Sequence, residues 1–142
     1  MPLYALALAL TLAAAQAAPG PMRARLSPVP TDLAMQETIA GLGSAAATVA
    51  GGVLTIDGTY NGLRSAATSV RVYESVKPGL RGALVGEFAS GGGTTGTFKG
   101  TLTLSREQAA AFAKGLLYVQ VQSEKAPDGN LWGWLMTAKG RR

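Results

Sequence analysis

Beyond residue 17, glycine and proline recur at intervals too short for long helices, and that punctuation is the strongest limit on the fold. The 142 residues include 19 Gly and 7 Pro, so turns are many. Between the turns lie short segments whose polarity alternates residue by residue, the period of a half-buried strand.

The segments can be read in order. Ala45–Ala50 and Val53–Tyr60 flank Gly51-Gly52, a two-residue hairpin signal. Asn61-Gly62 ends the second of them. Over Ser69–Ser75, Val70 and Val72 fall on one face and Arg71 and Tyr73 on the other. Lys77-Pro78-Gly79 reads as a turn, Ala83–Ala89 as a strand, and Gly91–Gly93 as a loop. Thr97–Leu104 follows, with Phe98, Leu102 and Leu104 on one parity. Ser105-Arg106-Glu107-Gln108 fits a capping box and opens a helix that stops at Gly115. Leu116–Gln122 sets Leu117, Val119 and Val121 against Tyr118, Gln120 and Gln122. Ala126-Pro127-Asp128-Gly129 reads as a turn and Asn130–Thr137 as the last strand. Seven or eight short strands predict an all-β fold, an antiparallel sandwich with one short helix near 106–114.

The first part of the chain is different. Leu3–Leu12 is almost wholly Leu and Ala, and Ala15-Gln16-Ala17 fits a small-x-small cleavage rule. Residues 1–17 therefore read as a signal peptide cut before Ala18, and the chain as exported to the periplasm, the cell envelope or the medium. The run is short for a membrane span, so no transmembrane segment is expected after cleavage. Residues 18–44 hold Pro19, Pro21, Pro28 and Pro30 and read as a lead-in. It has room for an edge strand over Met22–Leu26 and a short helix over Leu33–Ala40, capped by Thr31 or Asp32. The sandwich is expected over 45–137, with a basic tail at 138–142.

Composition removes several chemistries. The chain has no Cys and no His, which excludes disulfides, a lipoprotein anchor, the Ser-His-Asp triad and the Cys-His pair. The commonest ligand for zinc and copper is also missing. The net charge of +5 suits solubility or attraction to an anionic surface. Nucleic acid is not expected as a partner, because the basic residues are scattered apart from the tail. Gly91-x-Gly93-x-x-Gly96 matches a dinucleotide fingerprint in letters only, since a strand follows it where a helix is required. No acidic spacing fits a calcium loop. Glu74 and Glu124 each end a strand with a polar face, and a carboxylate pair there would be the one arrangement suited to glycoside chemistry.

From about Ala45 to Met136 the chain resembles the CHRD domain, named after chordin and common in exported bacterial proteins. Three segments carry the resemblance. They are Asn61-Gly62-Leu63 with Ala66-Ala67-Thr68, Gly100–Leu104 with Gln108 and Gly115–Val121, and Pro127–Leu135. The resemblance implies an immunoglobulin-like sandwich similar to copper/zinc superoxide dismutase. Many members carry a His-x-His pair and a further His, and these positions fall on Arg71, Tyr73 and Gln122 here.

Alternation then gathers Arg71, Tyr73, Gln120, Gln122, Asn130, Trp132 and Trp134 on one outward face, if the strands pair as the resemblance implies. Arg71, Tyr73, Gln120, Gln122, Trp132 and Trp134 are the candidate binding residues, of a kind enriched at interfaces. The competing expectation is that a loop or the lead-in covers both Trp residues as a second small core. No catalytic residue, metal ligand or cofactor is assigned. The leading function is a non-catalytic binding or structural component of the cell envelope, with an envelope protein or polymer as partner, or a place as subunit of a surface assembly. The alternative, from the resemblance, is a copper-dependent dismutase-like activity.

Overall fold

The structure, a computed structural model, describes residues 21–28 and 33–137. The leader read over 1–17, the caps Thr31 and Asp32, and the tail 138–142 lie outside the described residues. Eight strands form two antiparallel four-stranded sheets, as alternation predicts. The first sheet runs β1 (Met22–Leu26), β2 (Leu42–Ala50), β3 (Val53–Asn61), β6 (Gly96–Thr103); the second runs β5 (Ala83–Phe88), β4 (Ala67–Glu74), β7 (Leu117–Ser123), β8 (Ala126–Trp134). Leu54, Ile56, Val70, Val72, Val119, Val121 and Leu131 fill the space between them, each essentially free of solvent. Burial of such side chains contributes about 1.5–3 kcal/mol apiece.

Local chemistry sets the turns. Gly51 and Gly52 both take positive φ, +58° and +76°, as the tight β2–β3 hairpin requires. The capping box forms as read: the Gln108 N–H donates to the Ser105 hydroxyl at 3.1 Å and the Ser105 N–H to Gln108 Oε1 at 2.8 Å. Helix α1 (Arg106–Ala113) follows and buries Ala111 and Phe112.

β1 closes the sandwich at one corner. It pairs with β2 along its whole length and sends Met22, Ala24 and Leu26 into the core. On its other side Ser27 and Trp132 exchange both backbone hydrogen bonds at 3.0 Å, and Arg23 and Met136 exchange theirs at 2.9 Å. The edges of the two sheets are stitched together there, which removes free edge groups. Gly133 makes this approach possible, since a methyl group on it would stand 2.5 Å from the Arg25 carbonyl oxygen.

Some boundaries differ from the sequence reading. The segment after the prolines forms a 3₁₀ helix over Leu33–Glu37, shorter than the Leu33–Ala40 helix expected. β2 starts at Leu42, before the expected Ala45. The turn expected at Ala126–Gly129 lies inside β8, and the chain reverses at Glu124-Lys125 instead. Those two residues are held by bonds from the Glu124 N–H to the Ala66 carbonyl, 3.0 Å, and from the Lys125 N–H to the Ser65 hydroxyl, 2.9 Å. Pro127-Asp128-Gly129 becomes a bulge on an edge strand, where a missing N–H is tolerated. Among the described residues, no helix is long and apolar enough to cross a membrane.

Candidate functional site

The register of the second sheet sets its outward side chains in rows. Tyr73, Tyr118 and Trp134 stand opposite one another on β4, β7 and β8, and Leu84 of β5 continues the row. Arg71, Gln120 and Trp132 form the next row, continued by Glu87. The rings pack into one stack. Tyr73 lies 5.0 Å from Tyr118 at 13°, and Tyr118 lies 5.6 Å from Trp132 at 8°. Trp134 meets Tyr118 at 4.7 Å and 49°. Pairs of this geometry contribute about 0.5–1.5 kcal/mol beyond their burial.

Tyr118 is at the centre of the stack and only 1% exposed, although it faces outward from the sheet. The β4–β5 connection covers it. The Gly82 N–H donates to the Tyr118 hydroxyl at 3.0 Å, and the Arg81 guanidinium carbon sits 4.5 Å from the centre of the Trp132 ring. Burial pushes the Tyr118 pKa above its ordinary value of 10.0.

The six predicted residues separate into three environments. Arg71 and Tyr73 are half-buried. The Arg71 guanidinium donates to the Tyr73 hydroxyl at 3.4 Å and pairs with Glu87, and these partners, Tyr73 first, hold its charge and push its pKa upward. Gln120 and Gln122 lie on the outward parity but are 2% and 1% exposed, which corrects the reading of an open polar face. They bond to each other, Gln122 also accepts from Ser69 at 3.2 Å, and Gly129 of the bulge lies against Gln120. Asn130 leaves the face altogether. It is fully buried, donates to Ser123 at 2.9 Å and accepts from the Ala40 N–H at 3.1 Å, because the bulge turns it away from the tryptophans. Glu74 and Glu124 do not meet. Glu74 pairs with Leu117 at one end of β7, and Glu124 follows Ser123 at the other.

Trp132 and Trp134 are half-buried and open onto a groove at the stitched corner. The groove has a volume of about 360 Å³ and is lined by Arg25, Ser27, Gly79, Arg81, Trp132, Gly133 and Trp134. This is within the range of ligand sites, toward its lower end. Three segments distant in sequence thus meet there, bringing the Arg81 guanidinium and two indoles to one place with Arg25 along the wall. Among the described residues the one ion pair is Arg71–Glu87, so neither Arg25 nor Arg81 has a carboxylate neutralising it. The indole N–H of Trp132 is buried with no hydrogen-bond partner among the described residues. A larger depression of about 820 Å³ lies over the first sheet. It is open, lined by small side chains, and has Arg25 as its single charge, so it converges no chemistry.

Tyr118, Arg81 and Arg25 were not singled out from sequence. The position of Tyr118 was available, since it shares a parity with Gln120 and Gln122. Arg81 carried no signal, because its place depends on how the β4–β5 loop folds back.

Arg71, Tyr73 and Gln122, the positions singled out above for copper by resemblance, do not suit it. Arg71 is a cation that cannot ligate, Tyr73 is stacked on Tyr118, and Gln122 spends its amide on Ser69 and Gln120. Neutral oxygen donors are in any case poor copper ligands beside imidazole. Among the described residues, no group of three or more His, Cys, Asp or Glu could hold a metal ion.

In comparison with known proteins, a family model for the CHRD domain matches residues 12–135. That reaches further toward the N-terminus than the resemblance read from Ala45, and it takes in β1. No curated protein and no solved structure matches the chain.

Proposed function

The chain belongs to the CHRD domain family, and from that premise we propose that it is a non-catalytic exported domain that binds a component of the cell envelope through the corner groove. The observation that carries this reading is the convergence of Arg25, Arg81, Trp132 and Trp134 with no ion-paired acid on either arginine among the described residues. The Arg81 guanidinium over the Trp132 ring, with the positive charge of Arg25 on the same wall, attracts an anionic group, and the indoles offer it flat apolar surface. The same residues make poor catalysts: arginine stays protonated and the indole nitrogen is a donor only, so neither accepts a proton. Export is supported by the leader-like run over 3–17 and the small residues before Ala18. An acidic envelope polymer or an acidic envelope protein fits the groove, whether the chain is free or one subunit of a surface assembly.

Co-sedimentation with washed native envelopes tests this. Wild type is expected in the pellet. Arg25→Ala/Arg81→Ala, whose side chains are exposed, is expected to fold with an unchanged urea midpoint and to stay in the supernatant. Retention of that double variant at the wild-type level would overturn the reading.

A further inference from the structure

The β4–β5 connection, residues 75–82, carries a second feature that the groove does not use. Val76 is 82% exposed and Leu80 is 50% exposed, and Leu84, the second residue of β5, is 54% exposed. Large aliphatic side chains clustered on a loop call for an occupant. They are not there because the loop is slack. Ser75 is buried, its N–H donates to the Leu116 carbonyl at 2.9 Å, and its hydroxyl donates to the Lys77 carbonyl at 2.6 Å and accepts from the Lys77 N–H at 3.2 Å. The Leu80 N–H donates to the Lys77 carbonyl at 3.3 Å, and Gly82 is tied to Tyr118. The turn is therefore anchored at both ends and bonded across its middle, and it still points Val76 and Leu80 into solvent. Lys77 and Arg81 lie among these aliphatic residues, both on exposed positions.

We propose that the 75–82 turn docks on the surface of an anionic lipid bilayer, with Val76 and Leu80 entering the headgroup–acyl boundary and Lys77 pairing with a lipid phosphate. The chemistry favours this occupant over a protein. Apolar tips flanked by cations match a surface that is charged outside and apolar within. The chain's net charge of +5 acts in the same direction. Pre-ordering the turn removes part of the entropy cost of insertion.

Sedimentation of the full chain with vesicles tests the proposal independently of the groove. Vesicles of equal parts phosphatidylglycerol and phosphatidylcholine are expected to bind at least about fivefold more tightly than phosphatidylcholine alone, as a cation near the surface implies. Lys77→Ala is expected to weaken anionic binding by about fivefold. Val76→Ser/Leu80→Ser leaves every charge in place and is expected to reduce binding by about tenfold or more, since two buried aliphatic side chains are lost. Circular dichroism and the urea midpoint check that both variants fold. Wild-type affinity in the serine variant, equal binding to neutral vesicles, or no binding to the anionic ones would each overturn it. If Arg25→Ala/Arg81→Ala also left envelope retention intact, the groove reading would fail separately.

Discussion

The two sheets turn very different faces to the outside. On the first, Ser44, Thr59 and Thr97 stand in one row and Thr48, Thr55 and Thr101 in another, all exposed. On the second, Tyr73, Tyr118 and Trp134 make the corresponding row, and Tyr118 is as buried as the core. Both faces obey the same alternation. Among the described residues no segment crosses the first, and short polar side chains suffice there. The second is crossed by the 79–82 segment and the Gly129 bulge, so its aromatic and amide groups are packed and hydrogen-bonded. Parity decides which face a side chain takes, and the connections decide whether that face is surface.

Substitutions that act on one face and not the other would sharpen this contrast. Tyr118→Ala is expected to destabilise by about 3–5 kcal/mol, the range for emptying a buried aromatic site, read as a fall in urea midpoint. Little change would mean that the stack is not a second core. Asn130→Ala is next. It strands the Ala40 N–H and the Ser123 hydroxyl, and about 1–3 kcal/mol should be lost. Tyr118→Phe keeps the ring and removes the bond to Gly82, at about 1 kcal/mol. It also changes the pH response. The folded-state pKa of Tyr118 is raised above 10.0, so its contribution is intact below the unfolded value and is lost as pH rises through the folded one. Wild type should lose stability more steeply than Tyr118→Phe above about pH 10. Thr59→Ala on the bare face should fall within about 0.5 kcal/mol of wild type, and a larger loss would show that this face too is covered.

How much of this could be read from the chain follows the same division. Gly51-Gly52, the Ser105–Gln108 box and the Val-rich strands act locally, and they placed the hairpin, the helix and the core. Met22–Leu26 was readable as an edge strand, but its seam with β8 was not, because the pairing of Ser27 with Trp132 spans the whole chain. Pro127-Asp128-Gly129 carries turn chemistry and still forms part of β8, since Ser65 and Ala66 hold the reversal at Glu124-Lys125. At the candidate site, alternation put Arg71, Tyr73, Trp132 and Trp134 on the correct face. It could not tell that Gln120 and Gln122 are enclosed, nor that Arg25 and Arg81 arrive from elsewhere to complete the groove.

The groove as the binding surface is tested most directly by intrinsic fluorescence. The chain has 2 Trp, and Trp132 and Trp134 both line the groove beside the 79–82 segment, so tryptophan emission reports on the groove and its border. Titration with washed native envelopes is expected to give a saturable shift in emission that Arg25→Ala/Arg81→Ala abolishes. An emission spectrum that stays unchanged while the protein sediments with the envelopes would place binding elsewhere and contradict the account.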